Sequence, residues 1–161
     1  MLIHPIAPIY DKHAKILILG SFPSVRSREL EFFYAHPRNR FWPLLAALCH
    51  EQLPDSVEEK KKLLLHHGIA LWDVAAACEI QGSADSTLTQ VIANDISPIL
   101  KSASISQIYL NGNTAAKHYQ HLIEPQIHRT GIVLPSTSPA NAAWSFQRLL
   151  QAWRVIQDHI T

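Results

Sequence analysis

Four short apolar runs, each ended by a residue that breaks a strand, constrain this chain more than any other feature. Lys15–Leu19 is continuously apolar after its lysine and stops at Gly20, and Ile69–Trp72 follows Gly68 and runs into Asp73. Ile105–Leu110 ends at Asn111-Gly112, and Ile132–Leu134 follows Gly131 and ends at Pro135. Runs this short, with no need to alternate, read as strands buried on both faces, as in a parallel sheet. Helical segments lie between them: Asn39–His50, then Val57–His67 behind the capping box Ser56-Val57-Glu58-Glu59 and stopped by Gly68. Shorter ones cover Asp95–Ser102 and Asn113–His121. A last helix over Asn141–Ile160 places Trp144, Leu149, Trp153 and Ile156 on one face. Strand–helix alternation with such crossovers predicts an α/β fold: one three-layer α/β/α domain over residues 1–161, with a central four-stranded parallel sheet. A chain of 161 residues buries about 70% of its unfolded surface, so it needs no covalent staples.

Composition removes several function classes. Cys49 and Cys78 are too few for an iron–sulfur cluster or a four-cysteine zinc site, and they point to a reducing compartment. No apolar run approaches the roughly 20 residues of a membrane span, and the first residues lack a signal-peptide pattern. The expectation is a cytoplasmic protein away from membranes. Net charge is only +1, which argues against a strongly basic nucleic-acid binder, but the charge is unevenly spread. Residues 1–48 carry six basic and three acidic residues, 49–100 three and eight, and 101–161 five and two. If the outer thirds meet on one face, that face is basic, while the acid-rich middle, read as largely helical over Glu51–Glu59, lies elsewhere.

In parallel α/β folds ligands bind outside the carboxyl ends of the strands. Here those ends are Gly20-Ser21-Phe22-Pro23-Ser24, Asp73 onward, Asn111-Gly112-Asn113 and Pro135-Ser136-Thr137-Ser138-Pro139. There is no G-x-x-x-x-G-K-[ST] phosphate loop, no G-x-G-x-x-G after the first strand and no G-x-S-x-G elbow. Among the ten histidines, His66, His67, His118 and His121 lack a convincing set of partners, so no metal and no cofactor is expected. The informative stretch runs from Phe32 to Trp42, where aromatics are interleaved with Arg38 and Arg40. Rings stack on unpaired bases and guanidinium groups reach phosphates, although Phe41 and Trp42 read as core. Asn39 is placed to cap the helix that follows, which would fix it at the mouth of a site.

Gly20-Ser21-Phe22-Pro23, the Phe33–Trp42 stretch and Leu134–Pro139 together resemble the uracil-DNA glycosylase superfamily, most nearly its hypoxanthine-DNA (deoxyinosine) glycosylase branch. Gly68–Asp73 followed by Gly82-Ser83-Ala84-Asp85 is similar to the second-strand region of that superfamily, and Asn111-Gly112-Asn113 to its third strand end. The resemblance runs from about Lys15 to Trp144. One position departs from it. Mismatch-specific members carry at the first strand end an Asn that positions the hydrolytic water, and uracil-specific members an Asp. This chain has Phe22, which has no hydrogen-bonding group. The hypoxanthine branch shares that lack and uses the Asn of the His-Pro-Arg-Asn-Arg segment, here Asn39.

The resemblance implies a uracil-DNA glycosylase-like domain acting as a monofunctional glycosylase on deaminated bases in double-stranded DNA, hypoxanthine first. Asn39 would be catalytic. Gly20, Ser21, Phe22, Tyr34 and Asp73 would hold the flipped base, with Tyr34 stacking on it and Asp73 accepting its N1–H. Arg38 and Arg40 would meet phosphates, with Arg26, Arg28 and Lys117 as further candidates. Ser136, Thr137, Ser138, Pro139 and Asn141 would enter the minor groove. No lysine is obviously placed for Schiff-base chemistry, so strand nicking is not expected, and the protein is expected to act as a monomer. A uracil or mismatch glycosylase, and a lesion-binding module disabled by Phe22, stay open as alternatives.

Overall fold

A computed structural model describes residues 1–80 and 88–160. Gly82–Asp85, one of the segments that carried the resemblance, lies outside the described residues. In chain order the elements are β1 (Leu2–Ile3), β2 (Ile16–Gly20), α1 (Val25–Leu30), α2 (Phe41–Leu48), α3 (Val57–His66), β3 (Ile69–Asp73), β4 (Ala75–Glu79) and β5 (Thr89–Ala93). There follow α4 (Ser97–Ser102), β6 (Gln107–Asn111), α5 (Asn113–Leu122), α6 (Glu124–Ile127), β7 (Gly131–Leu134) and α7 (Phe146–Trp153), which tightens into a 3₁₀ turn over Arg154–Asp158.

The four apolar runs form one parallel sheet in the order β3-β2-β6-β7. Strand β2 is fully covered, and its side chains divide strictly by parity, as the two-residue period of a strand requires. Ile16 and Ile18 enter one core with Phe41, Leu44 and Leu45 of α2, Leu64 of α3 and Trp153 of α7. Leu17 and Leu19 enter the other with Ile99 of α4 and Ala115 and Tyr119 of α5. Helices thus flank the four-stranded sheet on both faces.

Four features differ from the expectation. A second, three-stranded antiparallel sheet, β1-β4-β5, stands beside the first. Only Val74 separates β4 from β3, and the Ala75-Ala76-Ala77-Cys78 run lacks the bulky β-branched residues that signal a strand. The C-terminal helix starts at Phe146, not Asn141, because Ser145 caps it by accepting the Arg148 N–H at 3.2 Å. Helix α3 starts at Val57, so Glu51 and Asp55 lie outside it. Its capping box is offset by one residue: Ser56 Oγ accepts the Glu59 N–H, while Glu59 Oε2 accepts the N–H of Asp55. Finally, the N-terminal segment lies along the outer edge of β3, where Ile9 and Leu71 exchange two backbone hydrogen bonds of 2.9 Å. Trp72 Nε1 donates to Ile6 O, and His4 N donates to Ala76 O. Among the described residues no helix is long and apolar enough to cross a membrane.

Candidate active site

The carboxyl ends of the four parallel strands open into a cavity of about 730 Å³. Its floor is the backbone turn Gly20-Ser21-Phe22, and its walls include Tyr34, His36, Asn39, Asp73, Asn111 and the segment from Ser136 to Asn141. Gly20 is required there by close approach. A Cβ on it would stand 2.7 Å from the Tyr34 hydroxyl and well inside contact with Asp73 Oδ1. Those two polar groups therefore share the space above the end of β2. Gly112 has φ +97°, a conformation that disfavours side chains, and a Cβ would meet Ser136 at 3.0 Å.

Tyr34 is held in the left-handed region, at φ 52°. The aromatic loop is tied down around it by buried Ser27, whose hydroxyl accepts the Ala35 N–H at 3.0 Å and whose carbonyl accepts the Phe32 N–H. The Tyr34 ring stacks on Phe41, with centroids 4.1 Å apart and planes 23° from parallel. Phe41 and Trp42 are buried in the core, as read from the sequence. A left-handed tyrosine costs about 1–2 kcal/mol locally; the Phe41 stack and the Ser27 ties offset it. Phe22 is buried under the cavity wall, with its ring beneath the Arg28 guanidinium at 5.7 Å.

Asp73 ends β3 and is buried, although it belongs to the acid-rich third of the chain. Its partner was not foreseen: His4 Nε2 lies 2.7 Å from Asp73 Oδ2, with both side chains almost wholly covered. His4 Nδ1 accepts the Ile6 N–H at 3.1 Å, so the ring proton sits on Nε2 and is donated to the carboxylate. The backbone below is fixed as well. Buried Asn94 donates to the carbonyls of Asp73 and Ala75, and the N–H groups of Val74 and Ala75 donate to the carbonyls of Gly20 and Ser21.

Asn39 is half-buried on the cavity wall, and its Oδ1 accepts the Phe41 N–H at 2.9 Å. That bond assigns the amide's orientation and leaves the second lone pair of Oδ1 for another donor. Asn39 is not the helix cap expected from the sequence: α2 begins at Phe41 with Arg40 at the N-cap, so Asn39 stands one residue earlier and closes a turn into the helix. His36, unassigned from the sequence, also lines the cavity and accepts the Arg38 N–H on Nδ1. Arg38 itself is exposed.

The Ser136–Asn141 segment is a built loop. Asn111 and Thr137 bond reciprocally, Asn111 Nδ2 donating to Thr137 Oγ1 and Thr137 N to Asn111 Oδ1, each at 3.1 Å. Asn141 Nδ2 donates to Ser136 O, and the Ser138 and Ala140 N–H groups donate to the hydroxyls of Ser136 and Ser138. Arg40, half-buried, forks its guanidinium across the carbonyls of Trp144, Asn141 and Ser138. Two sequence assignments change accordingly. Thr137 is fully buried and anchors the loop to β6 instead of facing DNA. The charge of Arg40 is spent on holding the loop rather than extended to solvent. Arg26 is exposed near Glu29 at the cavity rim, whereas Lys117 is exposed on α5 away from the lining.

The family model of the uracil DNA glycosylase superfamily matches residues 7–157. A hypoxanthine DNA glycosylase of Methanosarcina acetivorans is 37% identical over 153 residues, covering 94% of this chain and 95% of that protein. Another, from Methanosarcina barkeri, is 30% identical over 135 residues, covering 83% and 85%. Among solved structures, the solution structure of a candidate uracil DNA glycosylase from Methanosarcina acetivorans superposes with a TM-score of 0.80 at 31% identity, over 99% of this chain and 100% of that one. With the motif residues gathered at one cavity and the match spanning nearly all of its length, the chain belongs to the uracil DNA glycosylase superfamily.

Proposed function

We propose that the protein is a monofunctional DNA glycosylase that releases hypoxanthine from deoxyinosine, and that the cavity at the strand ends is where the flipped base is held. One observation carries the reading. The cavity gathers a stacked aromatic ring, an acceptor carboxylate and an asparagine oriented by the Phe41 N–H beside an internally braced loop, and its volume of about 730 Å³ admits a purine with its sugar. The similarity to two proteins named hypoxanthine DNA glycosylase supports the choice of base.

The reaction breaks the bond between the base nitrogen and deoxyribose C1′. The bonding pair leaves with the base, the sugar gains oxocarbenium character, and water oxygen adds to C1′ while its proton passes to solvent or to the departing base. Because the cation forms early, the water needs orientation more than a strong base. The free lone pair of Asn39 Oδ1 supplies it. The face of Tyr34 turned away from Phe41 stacks on the base, and Asp73 Oδ1 accepts its ring N–H. A carboxylate opposes charge on the leaving base, so Asp73 serves recognition, while departure is aided by backbone N–H groups of the Gly20–Phe22 turn. Extruding the nucleotide costs a few kcal/mol, least at a poor pair such as inosine opposite thymine. The braced Ser136–Asn141 loop fills the gap, with Arg40 acting through the loop and Arg38 on the phosphates.

The test is a panel of duplexes containing inosine, uracil or xanthine, incubated with the protein and then treated with alkali. Inosine strands break only after alkali, and Asn39→Ala abolishes the break. Cutting without alkali refutes the monofunctional reading, and equal activity in Asn39→Ala refutes the catalytic assignment.

A further inference from the structure

His4 lies outside the motifs that carry the family resemblance, and its pairing with Asp73 dictates which way the base-reading carboxylate can act. We infer that His4 is a positioning residue that fixes Asp73 as an outward-facing acceptor, so that the cavity selects bases bearing a ring N–H at the edge it reads. This rests on the proposed glycosylase reading and sharpens its substrate class.

The His4 side chain is 3% exposed and that of Asp73 5%. The imidazole is packed edge-on against Phe22 at 5.8 Å and Trp72 at 6.3 Å, and tilted against Phe33 at 6.2 Å. The Ile6 N–H occupies Nδ1, so Nε2 is held as the donor toward Asp73 Oδ2. With Oδ2 so engaged, Oδ1 lies above Gly20 on the cavity side. An ionised carboxylate only accepts, so the cavity presents an acceptor there. Hypoxanthine offers N1–H and uracil N3–H, whereas their parents adenine and cytosine hold a repelling lone pair at the same ring position. Guanine also carries N1–H, and its firm pairing with cytosine keeps it in the stack. Without His4, Oδ2 would be buried with no partner. Asp73 would turn in search of another donor, which takes the acceptor out of its place over Gly20.

The test compares single-turnover excision of deoxyinosine with that of 1-methyldeoxyinosine, which lacks N1–H, each opposite thymine. The wild type prefers inosine by at least about 100-fold, as a site built around one hydrogen bond does. His4→Phe fills the space without a donor and lowers inosine excision about 10- to 100-fold, so that the preference collapses. His4→Gln sets an amide donor near the place of Nε2 and stays within about fivefold of wild type. A purely structural role for His4 lowers both substrates by one factor and leaves the preference intact, which overturns the inference. Equal losses in His4→Phe and His4→Gln also overturn it.

Should His4→Phe fail to fold, Asp73→Asn decides. In that variant His4 Nε2–H holds the amide oxygen and turns the NH₂ into the cavity, so inosine excision is lost. Adding His4→Gln lets both amides reverse, and at least about tenfold of the activity returns; no return overturns the inference. A wild type that releases no base from any lesion overturns the glycosylase reading itself, and the wild-type reaction alone tells the two failures apart.

Discussion

Replacing Gly20 by alanine tests the geometry of the site with a single methyl group. The φ of Gly20 is outside the left-handed region, so the objection to a side chain there is steric alone. The added Cβ would stand 2.7 Å from the Tyr34 hydroxyl and inside contact with Asp73 Oδ1. Neither neighbour is free to retreat, because Asp73 is held by His4 at 2.7 Å and the Tyr34 ring is stacked on Phe41 at 4.1 Å. Overpacking of this kind costs about 1–3 kcal/mol, and the pinned neighbours put Gly20→Ala in the upper half of that range. For a domain of this size each kcal/mol lowers Tm by roughly 2–4 °C, so a loss of about 4–12 °C is expected. Activity falls further than stability. A displacement of about 1 Å in the reading groups lowers the rate about 100-fold. Thermal denaturation and single-turnover inosine excision, the latter run well below both transitions, give the two numbers. A variant within a degree of wild type in Tm and within twofold in rate would refute the placement of Asp73 and Tyr34 over the end of β2.

Three further outcomes follow from the same structure. Asn39→Ala loses at least about 100-fold in excision and about 1 kcal/mol of stability, since Oδ1 also accepts the Phe41 N–H; equal rates in the two proteins contradict the role. Arg40→Lys cannot fork across the carbonyls of Trp144, Asn141 and Ser138, so amide exchange in residues 138–144 speeds up and lesion affinity falls; unchanged exchange contradicts the bracing. Stability declines in alkali, because burial pushes the Cys49 thiol up to about 11 from 9.0 and the Tyr119 hydroxyl up to about 12 from 10.0. Both groups hold their protons more tightly in the folded chain, so their contribution is complete below pH 9 and is lost as pH rises through the folded values. Urea midpoints that stay flat from pH 8 to 11.5 contradict this, and Cys49→Ala should remove the earlier part of the fall.

The parallel sheet was legible because its four strands read as unbroken apolar runs that end at glycine, asparagine, aspartate or proline; three of them are largely covered, while the edge strand β7 leaves Ile132 and Val133 exposed. The antiparallel sheet was not, because β4 is built from small residues whose burial comes from neighbours distant in sequence, such as Phe22 and Leu88. The cavity residues that sit in dense local motifs, from Gly20 to Phe22 together with Tyr34 and Asn39, could be named beforehand, whereas His36 between them was not. What the motifs do with their charge could not. Arg40 beside an aromatic stretch looks like a phosphate contact until the carbonyls of a loop a hundred residues away claim it. His4 gave no signal, since a histidine near the N-terminus gains its meaning only from the pairing of Ile9 with Leu71 that carries it to Asp73.

The central claim is that this cavity hydrolyses the base–sugar bond of deoxyinosine. Mass spectrometry of the small molecules released from an inosine-containing duplex tests it most directly. The account predicts free hypoxanthine in amount equal to the abasic strand, with the sugar–phosphate backbone intact. Release of deoxyinosine as a nucleoside or nucleotide, or no release from inosine while uracil is freed efficiently, would contradict it.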